Sequence, residues 1–257
     1  MTKSAETAHD LVVFGATSFV GQILTRYLLE TYGVGQSVKW AIAGRSESKL
    51  NTLKSSLGDK ARDLPVILAD AADDAALKSM CEQTRVIIST VGPYALYGEP
   101  LVKACVQTGT DYCDLTGEVQ WIRKMVERYE AEAKTSGARI VHCCGFDSIP
   151  SDMGVWFLQN QAEQTFGMPC QDVRMRVKTA KGEFSGGTVA SMMNVAKEAA
   201  ADPKLRKELA NPFSICPPEH RSKTRQPSLK GAEFDKTFNA WLAPFVMGAI
   251  NTRVVHR

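Results

Sequence analysis

The 257-residue chain has no run of about 18 consecutive apolar residues, the length needed to cross a bilayer, so no spanning segment is expected. Its N-terminus, MTKSAETAHD, lacks the apolar core of a secretory leader, which points to the cytoplasm. An excess of either charge sign is missing too: 31 basic against 28 acidic side chains leave a formal net charge of +3. So small and dispersed an excess argues against a nucleic-acid-binding face, and no nucleic-acid partner is expected. The seven cysteines show no CxxC or mixed Cys/His spacing, so no metal site is expected. They read as reduced core residues; only at the adjacent Cys143 and Cys144 does a reactive thiol compete with that reading.

Several catalytic signatures are absent as well. No tyrosine is followed four residues later by lysine, which removes the Tyr-x-x-x-Lys acid of short-chain dehydrogenases. No GxSxG nucleophile elbow, HExxH zinc motif or GxxxxGK[ST] phosphate loop occurs.

What is present begins with LVVFGATSFVG at 11–21. Four apolar residues of a buried strand run into a glycine turn that opens a helix, the junction where a doubly wound fold holds a dinucleotide. Gly15 permits the turn and Gly21 lets the helix pack close to the sheet. The helix N-terminus turns unpaired N–H groups and positive dipole toward a pyrophosphate, with Gly15, Thr17, Ser18, Phe19, Val20 and Gly21 as the contacts. The motif is not a clean GxGxxG, and Ser18 puts a small side chain where close backbone approach is wanted. An ordinary strand-turn-helix is the competing reading.

A hydrophobic fraction of 44% with 23% charged residues is that of an ordinary globular chain. Six strand-like runs, at 11–14, 38–43, 66–69, 86–91, 112–115 and 139–143, alternate with helical patterns at 21–31, 47–57, 75–84, 98–108 and 119–135. This predicts an α/β fold, a doubly wound parallel Rossmann sheet over residues 1–150. The length allows one large α/β domain or a dinucleotide-binding domain plus part of a second; on the latter reading residues 151–257 are an incomplete second α+β region that covers the substrate. There the pattern predicts a helix at 151–161, a charged strand at 172–179, a helix from Thr188 to about Ala200 and an exposed loop at 211–229. The apolar stretch 238–255 reads first as core, with a ligand pocket or a membrane surface as alternatives.

Where the second strand ends, an Asp or Glu usually holds a free ribose 2′-OH; here Gly44 is followed by Arg45 and Ser46, which suit a 2′-phosphate. NADP is therefore expected rather than NAD, with Glu47 a competing acid. Asp70, ending the third strand, stands at the height of the adenine, or caps the next helix. Gly92 and Pro93 follow the fourth strand, where the chain passes the nicotinamide half. Tyr94 and Tyr97 are candidate proton sources, aromatic packing being the commoner role for each. Asp147, in the cluster Gly145–Asp152, is a third candidate, although helix capping alone accounts for such residues. His142 reads as a satisfied core histidine.

Together the segments LVVFGATSFVGQ (11–22), WAIAGRSESKL (40–50), STVGPYALYGEPLVKAC (89–105), DYCDLTGE (111–118) and CGFDSIPSDMG (144–154) resemble the saccharopine dehydrogenase-like oxidoreductases. The resemblance is to the branch that includes bacterial trans-acting enoyl reductases, in which glycine commonly stands at the position of Ser18. It implies an NADP-binding Rossmann domain and reduction of an enoyl or related acyl group in lipid or glycolipid assembly. It further implies a lipid-like small-molecule partner and peripheral membrane contact; a homodimer is also among the expected partnerships. Members are usually longer than this chain, so the resemblance implies a truncated C-terminal region. A non-catalytic, lipid-surface-associated NADP-binding protein is the alternative, and saccharopine metabolism itself ranks lower.

Overall fold

The computed structural model describes residues 7–257. Two compact units divide the chain: one takes the residues up to Cys144 together with Phe184–Glu198, the other Gly145–Glu183 and Ala199–Arg257.

In the first unit, strands and helices alternate as β1 (His9–Phe14), α1 (Phe19–Tyr32), β2 (Trp40–Gly44), α2 (Glu47–Ser56), β3 (Val66–Leu68), α3 (Asp74–Glu82), β4 (Thr84–Ser89), α4 (Tyr94–Tyr97), α5 (Glu99–Thr108), β5 (Asp111–Asp114), α6 (Val119–Ser136) and β6 (Ile140–Val141). The six strands form one parallel sheet in the order β3-β2-β1-β4-β5-β6, the doubly wound Rossmann arrangement. β2 is buried along its whole length and Val12, Val13 and Phe14 of β1 are buried, as expected for a parallel sheet covered on both faces. Helix α1 buries Gly21, Thr25, Leu28 and Leu29 along one stripe. It ends at Gly33, whose φ of 65° stops the helix. Leu28, Leu29, Trp40, Ile42, Leu50, Leu53 and Leu64 make a core that fastens α1 and α2 to this half of the sheet.

The strand order reverses between β1 and β4. Phe14, the last residue of β1, pairs with Ala43 on one side and Ser89 on the other. The turns after β1, β2 and β4 therefore emerge side by side at one sheet edge, where open α/β sheets bind ligands.

The second unit contains α7 (Ile149–Phe166), and α8 (Gly186–Ala201) passes from the first unit into it. After α8 come α9 (Pro203–Ala210), β7 (Glu233–Asp235), β8 (Ala240–Leu242) and α10 (Gly248–Val255). α7 runs longer than its periodicity indicates, from Pro150 in its first turn to Gly167 in the left-handed region. The strand expected at 172–179 does not form. Its alternating side chains find no ladder partner, and a lone strand leaves its backbone groups unpaired. The segment is tied instead through its side chains, with Arg176 paired to Asp235 at 3.0 Å. The loop expected at 211–229 is exposed for much of its length but buries Ser214, Ile215 and Cys216. Arg253 of α10 is buried and donates to the Asn211 carbonyl and to Ser214 Oγ, and burial lowers its pKa. The apolar stretch 238–255 is divided: Ile250 is core, whereas Trp241 is exposed and meets Phe234 edge-on. Among the described residues no helix is long and apolar enough to cross a membrane.

Candidate functional site

The turn after β1 is built around two glycines. Gly15 sits at φ 85°, and a Cβ there would lie 2.6 Å from Val91 Cγ2 and 2.8 Å from Thr90 Oγ1. A Cβ on Gly21 would lie 2.3 Å from the Gly15 carbonyl oxygen, a backbone atom with no room to move. The amides of Gly15 and Ala16 both donate to the Ala43 carbonyl, which fixes the turn to the end of β2.

Ser18 is the N-cap of α1, its Oγ accepting from the Gly21 amide at 3.0 Å. The Thr90 hydroxyl lies 2.9 Å from the Gly15 carbonyl, and its single proton is committed there, so Ser18 donates to Thr90 across 2.9 Å. Both roles of the Ser18 hydroxyl are thus taken by the protein itself. The amides of Thr17, Phe19 and Val20 have no hydrogen-bond partner among the described residues, and the first turn of α1 holds no acidic side chain. Three free donors on the positive end of a 14-residue helix fit an anionic group such as a pyrophosphate.

Arg45 lies just past β2, exposed and without a hydrogen-bond or ion-pair partner among the described residues. Ser46 beside it caps α2 by accepting from the Lys49 amide at 3.4 Å, and its hydroxyl is 3.1 Å from that of Ser48. A free guanidinium beside two hydroxyls suits a phosphate monoester. The Ala69 amide donates to the Gly44 carbonyl, so Asp70 follows at the same edge. Its Oδ1 accepts from the Ala72 amide at 3.0 Å; the cap of α3 is Asp73, not Asp70. Beyond β4 comes the cis Gly92–Pro93 bond leading into α4. On the donor set alone, the residues present fit NADP.

Of the proton-source candidates, Tyr94 is built into the interior. It is 5% exposed, its hydroxyl donates to the Ser89 carbonyl at 3.0 Å and its ring lies 5.4 Å from that of Trp121. Burial, with the nearby Asp114 carboxylate, raises its pKa far above the usual phenol range. The proton of a phenol so held is already committed to a backbone carbonyl, which favours the packing role for Tyr94 over that of a proton source. Tyr97 is 47% exposed. Asp147 belongs to the second unit, in the turn before α7, and partial burial raises its pKa.

Farther along the first unit's edge, Asp114 at the end of β5 organises the turn after β6. Its Oδ1 accepts from the amides of Thr116 and Cys143, and its Oδ2 meets His142 Nδ1 at 2.7 Å. Cys143 is held there at φ 61°, a conformation few non-glycine residues adopt. The reduced-core reading of the cysteines holds for Cys81, Cys105, Cys143 and Cys216, whereas Cys113, Cys144 and Cys170 are only half-buried. A mutual hydrogen bond raises the pKa of the Cys113 thiol and lowers that of Cys144. Sequence reasoning passed over Thr90 and Glu118. The one legible signal was their place inside two of the matching segments, STVGPYALYGEP and DYCDLTGE.

The sequence pattern of the saccharopine dehydrogenase NADP-binding domain matches residues 11–141, the stretch that carries the sheet. A Mycobacterium tuberculosis protein provisionally named a trans-acting enoyl reductase, Rv2449c, is 40% identical over 254 residues, covering 96% of this chain and 60% of its own length. The trans-acting enoyl reductase of Mycobacterium bovis is 36% identical over 265 residues, covering 98% of this chain and 62% of its own. This chain therefore spans less than two thirds of the length of these relatives. Among solved structures, apo saccharopine dehydrogenase (L-Glu forming) from Saccharomyces cerevisiae overlays with a TM-score of 0.48 at 18% identity, over 61% of this chain and 32% of that one. The matched pattern covers half the chain and coincides with the sheet and its phosphate-suited edge, so the chain belongs to the saccharopine dehydrogenase-like oxidoreductases, with NADP as cofactor.

Proposed function

We propose that this chain holds NADPH in an oxidoreductase that reduces an enoyl or related acyl group in lipid or glycolipid metabolism. The observation that carries the reading is the pairing of free amides at Thr17, Phe19 and Val20 with the unpartnered Arg45 guanidinium on the neighbouring turn. The first set suits a pyrophosphate and the second a 2′-phosphate. A bound NADPH supplies the hydride, and a proton from the protein or solvent completes the reduction. Arg45 and Ser46 then select the phosphorylated ribose, Asp70 borders the adenine, and Gly92 with Pro93 shapes the nicotinamide side. Tyr97 and Asp147 are favoured over the buried Tyr94 as proton-source candidates. The acyl substrate is supported by relatives named trans-acting enoyl reductases at 36–40% identity.

Calorimetric titration of the chain with NADPH and then NADH tests the cofactor. Loss of reduced-nicotinamide absorbance with 2-enoyl and 3-keto acyl thioesters tests the reaction. NADPH-selective binding with enoyl-dependent oxidation supports the proposal. Binding of neither nucleotide overturns it, and selective binding without oxidation favours the non-catalytic reading.

A further inference from the structure

Glu118 lies directly before α6, 2% exposed and with no ion-pair partner among the described residues. Its Oε1 accepts from the Tyr94 amide and the Ser191 hydroxyl, and its Oε2 from the Ala95 amide, each at 2.8 Å. Its own amide donates to Thr116 Oγ1 at 3.1 Å, and its carbonyl accepts from the amides of Trp121 and Ile122 at 3.0 Å. One carboxylate thus joins three stretches of chain: the turn after β4, the start of α6, and α8.

Burying a carboxylate without a cation is costly, and only its hydrogen-bond donors offset the loss of water. A helix cap alone has a simpler solution, since α1, α2 and α3 are capped locally by Ser18, Ser46 and Asp73. At α4 the N-cap is Pro93, which has no side-chain acceptor, and Glu118 serves from 24 residues away. The same oxygen that holds the Tyr94 amide also holds Ser191. Ser191 Oγ in turn lies 3.8 Å from where a Cβ on Gly92 would stand. A second fastening runs beside it: Gln120 donates to Glu198 at 3.1 Å and Asn194 to the same carboxylate at 2.8 Å. Ser191, Asn194 and Glu198 lie three and four residues apart, on one face of α8.

The Gly92–Pro93 turn follows β4, on the opposite side of β1 from Arg45. In a doubly wound sheet that is the half of the crevice away from the adenine ribose. We infer that Glu118 is a positioning residue for the nicotinamide end of the cofactor site, and that Ser191, on the face of α8 it secures, forms the second wall of that end. The inference rests on the cofactor reading above. Glu118 sets the distance between the Gly92 backbone and Ser191 and touches no ligand itself.

The test compares NADPH with 2′,5′-ADP, which carries the adenine half and the 2′-phosphate but no nicotinamide. Glu118→Gln replaces one acceptor oxygen with an amide NH2 that confronts a donor, and Ser191→Ala removes the hydroxyl from the wall. The expected result is a loss of NADPH affinity of about tenfold for Glu118→Gln, a charged hydrogen bond's worth, with 2′,5′-ADP affinity within about twofold of the original chain. Ser191→Ala is expected to weaken NADPH by about threefold or more and to shift the emission of bound NADPH, again with 2′,5′-ADP unchanged. Variants that bind both ligands like the original chain overturn this inference alone. An original chain that binds neither overturns the cofactor reading and this inference with it. If Glu118→Gln does not fold, Ser191→Ala decides by the same comparison.

Discussion

The hydroxyls of Ser18 and Thr90 meet at 2.9 Å although 72 residues separate them. This bond joins the phosphate-suited turn after β1 to the end of β4, and Thr90 passes the restraint on by donating to the Gly15 carbonyl. Thr90→Val keeps the side-chain shape and removes both bonds. Unfolding free energy is expected to fall by about 1–3 kcal/mol, read from urea denaturation, because a buried carbonyl and a serine proton lose their partners. NADPH affinity is expected to fall with it, several-fold, as the free amides of the turn lose their fixed direction. Unchanged affinity despite lower stability would separate the turn's packing from ligand binding.

Arg45 is exposed and without a protein partner, so its removal is expected to leave the fold intact. Arg45→Ala is expected to weaken NADPH by about ten- to a hundredfold and to leave NADH within about twofold, the loss of a charged contact to the 2′-phosphate. Equal weakening of both nucleotides, measured by calorimetry, would move Arg45 away from the 2′-phosphate.

Tyr94 and Tyr97 occupy the two ends of one short helix and separate by burial. Tyr94→Phe is expected to lower the melting temperature through loss of the bond to the Ser89 carbonyl, while acyl turnover falls by less than about tenfold. For Tyr97→Phe the expectation runs the other way: an unchanged melting temperature, and a turnover loss of about a hundredfold if its phenol is the proton source. A large turnover loss confined to Tyr94→Phe would reverse the assignment.

Asp111 and Arg139 tie the start of β5 to the residue before β6, with Asp111 Oδ1 also accepting from the Arg139 amide at 2.9 Å. Partial burial pushes the Asp111 pKa up, but the guanidinium and amide hydrogen bonds and the charge of Arg139 outweigh it and hold the carboxyl below its usual range. A depressed folded pKa contributes stability that is present above the unfolded pKa and is lost as pH falls through the folded one. Asp111→Asn retains an acceptor for the amide, but it removes the charge and sets an NH2 against the guanidinium in place of Oδ2. Its melting temperature is expected to lie a few degrees below the original at pH 7, with the gap closing below about pH 4. A gap independent of pH would assign the difference to packing.

The first unit was legible because its signals are local. A buried strand, a glycine turn and a capped helix are adjacent in LVVFGATSFVG, and an arginine one residue past a strand is placed at the sheet edge by the strand itself. The expected strand at 172–179 failed for the opposite reason. Alternation describes one strand, but a strand exists only with a partner, and the one ladder among the described residues of the second unit is the β7–β8 hairpin. Tyr94 and Tyr97 looked alike as phenols three residues apart; the ring of Trp121 and the Ser89 carbonyl distinguish them.

The alternation of strands and helices, the phosphate-suited turn and the expectation of NADP follow from residue types at short spacing, since backbone geometry alone carries one residue's place to the next. The Ser18–Thr90 bond, the Asp114–His142 pair and the Glu118 carboxylate that joins α4 to α8 were decided in three dimensions. Each joins groups 24 or more residues apart, and a hydrogen bond depends on the distance and angle of its atoms, which no spacing along the chain specifies.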